Sequence, residues 1–225
     1  MTQGLYRPQI VQWDRVSRGC PVDELIVPRL CDPDWPLTVT KALPSGTGER
    51  DLAALIKDIV AVQALAQPSQ QESAWLAYLE RARVDEGRKA ALRSLLQLGT
   101  DWNRLGPALD RFLANPASSE AIRAFAFGIV VFGLTGGRWA QSQGAVAAFL
   151  CRQFMSEGRT GLVLQYLLNL NLVLKYTMEE AHRAAREPLR RSIADCLRQR
   201  EASAMRSPEL AQQYQQIRAM YPGLL

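Results

Sequence analysis

Six of the twelve prolines in this chain fall within residues 1–48. Proline has a fixed φ and no amide proton, so a stretch this rich in it cannot form a long helix. The runs RPQ, CPVDELIVPRLCDPDWPLTV and LPSGTG therefore read as extended and turning backbone, an irregular N-terminal arm. Trp13, Ile26, Val27, Leu30, Trp35 and Leu37 make this arm too apolar for a solvated tail. Its large side chains are expected to dock on the helical body or, in a functional version, on a partner.

From residue 49 onward the apolar period becomes helical. ERDLAALIKDIVAVQAL puts Leu52, Leu55, Ile56, Ile59 and Val62 on one stripe. SQQESAWLAYLERA opens with Ser69 and Glu72 at capping-box spacing, followed by Trp75, Leu79 and Ala82 on one face. GRKAALRSLLQLG closes on Gly99. TDWNRLGPALDRFLA carries Trp102, Leu105, Leu109 and Phe112, with Gly106-Pro107 inside the pattern predicting a kink or a split. TMEEAHRAAREPLRR predicts a capping box from Thr177 to Glu180 and a bend or a restart at Pro188. SPELAQQYQQIRAMY has Ser207 as N-cap, Pro208 at the first helical position, and a buried stripe of Leu210, Tyr214, Ile217 and Tyr221.

No strand alternation of useful length follows residue 48. The expected class is all-α: a compact multi-helix bundle or helical-hairpin array of roughly eight or nine helices behind a Pro/Trp-rich arm. The expected domains are the arm, 1–48, and a helical domain, 49–225, with a sub-boundary near 115–118. A faint echo between EGRKAALRSLLQL and EGRTGLVLQYLLNL reads as shared turn chemistry, a Gly that ends one helix and an Arg that begins the next.

AFAFGIVVFGLTGG, residues 124–137, invites three readings. A membrane span needs about 20 apolar residues, and this run stops at Arg138. A phosphate loop needs lysine after its second glycine, but Leu134 follows Gly133, and IVVF is no amide nest. The third reading is a central helix buried on most sides, ended by Gly136-Gly137, with Gly128 and Gly133 admitting a close neighbour. LVLQYLLNLNLVLKY is the expected neighbour, and Asn169 and Asn171 within it need hydrogen-bond partners if buried.

The search for chemistry mostly excludes. The only histidine, His182, lies in the charged string EEAHRAAR and reads as a surface residue. Cys20, Cys31, Cys151 and Cys196 show no CxxC pair, so no metal is expected. Glu179-Glu180 and Asp32–Asp34 read as a helix start and a turn. No cofactor or catalytic residue is assigned. The N-terminus lacks a secretion signal pattern, and free cysteines fit a cytoplasmic setting.

The net charge is +5, and of the 27 basic residues only four are lysine. That bias fits a GC-rich bacterial genome. Arg183, Arg186, Arg190, Arg191 and Arg198, with Arg200 and Arg206, concentrate in the late helices, where the first three share a face. Such a stripe suits a phosphate backbone. Interleaved Glu179, Glu180, Glu187, Asp195 and Glu201 are expected to neutralise much of it. The leading expectation is a non-catalytic adaptor, scaffold or accessory subunit of a bacterial assembly. It would dock on protein through Trp13, Trp35, Leu210 or Tyr214. The alternative is a nucleic-acid-binding subunit using the arginine face. A third reading is a helical enzyme with a polar groove near Asn169.

Overall fold

The computed structural model describes residues 57–82, 85–115, 118–179 and 183–224. The arm (Trp13, Trp35, Cys20, Cys31, Asp32 and Asp34), the stripe residues Leu52, Leu55 and Ile56, Glu180 and His182 lie outside the described residues. The protein is all-helical, with no strand among those described. It divides into two units, Met1–Leu98 and Gly99–Leu225.

The first unit shows a helical stretch over 57–63, then α1 (Pro68–Arg81) and α2 (Asp85–Gln97), packed on each other. Pro68 sets the start of α1, because a first-turn residue needs no amide donor. Ser69 therefore lies inside the helix, the N-cap is Gln67, and the expected Ser69 cap is not made. Trp75, Tyr78 and Leu79 are buried from α1, and Leu92 and Leu95 from α2.

The second unit contains α3 (Trp102–Ala114), α4 (Glu120–Thr135), a short 3-10 turn (Ala140–Ser142), α5 (Gln143–Ser156), α6 (Thr160–Thr177), α7 (Glu187–Ala204) and α8 (Pro208–Met220). The division falls at Leu98, ahead of the suggested sub-boundary near 115–118. The indole of Trp102 explains this. It meets Trp139 and Phe149 edge-on at 5.2 and 5.3 Å, which ties α3 to α5. The Trp139 Nε1 then donates to the Thr100 carbonyl at 3.0 Å.

Pro107 neither splits nor ends α3, which runs unbroken through it. Pro107 is exposed, so the carbonyl it leaves without an amide partner faces water. Gly106 is there because Trp102 covers it: a Cβ at that position would stand 3.0 Å from the indole.

α4 ends as the sequence foretells. Gly137 takes φ +76°, its amide donates to Leu134 at 3.1 Å, and the Arg138 amide donates to Gly133 at 3.0 Å. Both bonds together make a Schellman ending, which needs the left-handed residue that glycine supplies without strain. Thr135 hydroxyl bonds back to the Val131 carbonyl at 3.0 Å and has no part in a phosphate loop.

The hub of the unit is α6, not α4. Helices α4, α5, α7 and α8 all pack on α6. Three pairs rise together along α4 and α6: Glu120 with Arg159 at 3.8 Å, the stacked rings of Phe127 and Tyr166 at 4.0 Å, and Gly128 beside Asn169. The two helices therefore run parallel, and α5 is the helix that connects them in the chain. Thr177 ends α6 rather than capping a new helix, since its hydroxyl bonds back to the Leu174 carbonyl at 2.7 Å. Glu179 accordingly lies past a helix end, and the next helix begins at Glu187-Pro188, as the proline predicts.

No single helix among the described residues is long and apolar enough to cross a membrane. α4 and the segment Ala140–Ser156 reach that length only as a pair bent by 110°.

Candidate functional site

Four arginines cap helix ends. A helix leaves its last carbonyls without partners, and its C-terminus carries partial negative charge. Arg88 Nε donates to the Ala82 carbonyl at the end of α1, 2.9 Å away. Arg123 Nη2 donates to Asn115, the C-cap of α3, at 2.8 Å. Arg186 donates to the Tyr176 carbonyl at the end of α6 at 2.6 Å, lies 3.5 Å over the Tyr176 ring, and pairs with Glu179 at 2.7 Å. Arg200 reaches the Phe154 and Glu157 carbonyls at the end of α5 and lies over the Phe154 ring. A planar guanidinium offers several donors in a fixed fork and stacks on aromatics, whereas an ammonium cannot do both.

This changes the view of the late arginines. Arg186 is buried, and Arg190 is partly buried, paired with Glu187 and against the Met178 sulfur. Arg191 shares Glu187, and Arg198 is paired with Asp195. The face expected of Arg183, Arg186 and Arg190 is thus broken, with only Arg183 of the three fully exposed. Leu210 and Tyr214 are likewise interior: Tyr214 is fully buried and its hydroxyl donates to the Leu197 carbonyl at 3.1 Å. Burial pushes the Tyr214 hydroxyl well above the usual phenol range.

A cleft of about 890 Å³ lies in the second unit, lined in part by Asp110, Arg123, Arg152, Glu157 and Arg159. Its charges interlock. Arg152 pairs with Asp110 at 2.8 Å, and Arg159 grips Glu157 at 2.8 Å with Glu120 at 3.8 Å. The hydrogen bonds from Arg159 hold the Glu157 carboxyl below the usual carboxylate range. Among the described residues there is no cluster of three or more metal-ligating side chains. Asn169 lies outside this cleft and donates to the Gln165 carbonyl of its own helix at 2.9 Å. Asn171 carries a buried Oδ1 that no protein donor meets.

The exposed feature of the second unit is apolar. Phe132 on α4 is 69% exposed, and Leu168 and Leu172 on α6 are 45% and 55% exposed. The parallel register brings Phe132 to the level of Leu172. Phe125 and Ile129, a turn or two before Phe132 on α4, are half-buried. After Arg123, α4 contains no charged residue at all. The side of α4 that carries Phe132 is therefore apolar beyond Arg123. Lys175, one turn beyond Leu172, gives one end of this face a positive rim. The uncharged run reads in sequence as a helix buried on most sides, and its large apolar side chains are buried or half-buried except Phe132. An apolar helix surface open on one side has the same composition.

Comparison with protein-family models, with curated proteins and with solved structures found no match.

Proposed function

We propose that this chain is a non-catalytic helical adaptor subunit that docks on a protein partner through the apolar face of α4 and α6. The observation that supports this is the exposure of Phe132, Leu168 and Leu172 on two helices that pack on each other. Isolated exposed apolar residues are ordinary, but three large ones on adjacent helices beside an uncharged stripe mark an interaction surface. The occupant that fits is a partner helix with an apolar stripe, ending in an acidic residue that meets Lys175. Aromatic and leucine side chains at the centre would supply the affinity, and the lysine at the rim would set orientation.

The test is a nuclease-treated pull-down with the full-length protein and two variants. Phe132→Asp with Leu172→Asp is expected to lose a partner that the wild type retains. Arg183→Glu with Arg191→Glu is expected to keep it. Retained proteins that are indifferent to the first variant, or a partner lost on nuclease treatment, would overturn the reading. A partner that proves to be a second copy of this chain, seen as a wild-type dimer in sedimentation, would overturn the adaptor role as well.

A further inference from the structure

Cys151 on α5 and Cys196 on α7 are far apart in sequence, yet their helices pack closely. The Cys151 Sγ lies 3.9 Å from the Ser192 carbonyl oxygen. That carbonyl is the one that accepts the Cys196 amide one turn later in α7. The Cys151 thiol therefore sits against the turn that carries Cys196. Cys196 is buried and Cys151 is partly open to solvent, and both thiols are free.

We propose that Cys151 and Cys196 form an oxidant-responsive dithiol, converted by a peroxide into a disulfide that staples α5 to α7. Cys151 is the attacking thiol, because it is the one solvent reaches. Its sulfur forms a bond to one peroxide oxygen while the O–O bond breaks, leaving a sulfenic acid and releasing water. Cys196 then loses its proton and attacks the Cys151 sulfur. The S–S bond forms, the S–O bond breaks, and a second water leaves. Two thiols are oxidised by two electrons in all, and one peroxide is reduced to two waters. The hydrogen bond from Cys196 also lowers the pKa of Cys151, while Cys196 itself is raised by donating that bond and by burial. A disulfide needs its two Cα atoms about 4.4–6.8 Å apart. A Cys151 sulfur already seated against the turn that carries Cys196 requires little movement to meet that.

The two cysteines fall in separate tryptic peptides, WAQSQGAVAAFLCR and SIADCLR. Reduced full-length protein is exposed to hydrogen peroxide at one equivalent, alkylated, digested without reductant and weighed. The expected product is the cross-linked pair of those peptides. It should also form when Cys20→Ser and Cys31→Ser are present. With Cys196→Ser, dimedone is expected to trap the sulfenic acid on Cys151. The oxidised wild type should melt at least about 5 °C higher than the reduced one, a rise that Cys196→Ser lacks. The proposal fails if both thiols remain alkylatable at a peroxide dose that oxidises Cys20 or Cys31. It fails equally if Cys151 runs on to the sulfinic acid without cross-linking.

Discussion

Trp102 is held by Trp139 and Phe149 in edge contacts and by the backbone of its own helix at Gly106. That arrangement separates two glycines that look alike in sequence. Replacing a helical glycine with alanine ordinarily stabilises by about 1 kcal/mol. At Gly128 the new methyl would meet only Asn169 Oδ1, at an ordinary 3.8 Å. Gly128→Ala is therefore expected to raise unfolding free energy by up to about 1 kcal/mol. At Gly106 the methyl would press on an indole that two other rings hold in place, so Gly106→Ala is expected to destabilise by about 1–2 kcal/mol despite the gain in propensity. Urea denaturation of both variants checks the pair, and equal signs would contradict the packing argument. Glu157 adds a pH dependence. Its folded pKa lies below the unfolded value because Arg159 hydrogen-bonds the carboxylate. The pair's contribution is therefore full above the unfolded carboxylate pKa, about 4.3, and fades as pH falls through the lower folded value. Arg159 is 40% exposed, which limits the contribution to about 1 kcal/mol. Glu157→Gln should cost about that at pH 7 and almost nothing near pH 2, read from denaturation at the two values.

At the scale of elements, the arginines explain how short loops can leave so many helix ends satisfied. The ends of α1, α3, α5 and α6 each receive a guanidinium from elsewhere in the chain. Arg186 illustrates the energetics, since its fork meets a carbonyl, a carboxylate and an aromatic face while buried. Arg186→Leu is expected to destabilise by about 2–3 kcal/mol, because it orphans the Tyr176 carbonyl and frees Glu179. Arg186→Lys should recover only part of that, a point charge being unable to stack and fork together. Arg191→Leu, at an exposed pair with Glu187, should change stability by less than about 0.5 kcal/mol. Thermal melts of the three variants give the order. This use of arginine was not legible in the sequence, because a cap of this kind joins residues from different turns and leaves no local pattern. The helices themselves were legible wherever an apolar stripe met a proline or glycine stop, as in α8 after Ser207-Pro208 and α4 before Gly137. Where two starting signals competed, proline won: Pro68 displaced the Ser69 box, and Pro188 outweighed the Thr177 box. The approach of Cys151 to the turn that carries Cys196 was hidden for the same reason as the caps, since only the packing of α5 on α7 creates it.

For the molecule as a whole, the question is which of its surfaces carries affinity. The net charge of +5 gives the chain a general attraction to polyanions. A track along a phosphate backbone, however, needs arginines free in a row, and the late helices offer a set tied to Glu187, Asp195 and Glu179 or turned inward. Phe132, Leu168 and Leu172 are instead open to solvent on neighbouring helices. Phe132 and Leu172 contribute nothing visible to the core, being more than half exposed. Phe132→Asp with Leu172→Asp should accordingly leave unfolding free energy within about 0.5 kcal/mol of the wild type while abolishing the complex. Salt separates the two mechanisms without any mutation. Apolar burial is insensitive to ionic strength, and one rim lysine adds only a small screened term. The affinity of the purified complex should then change by less than about threefold between 50 and 200 mM salt. A ligand held through six or more phosphate contacts would lose about a thousandfold or more over that range. A titration at the two salt concentrations thus decides whether the face or the arginines make the contact.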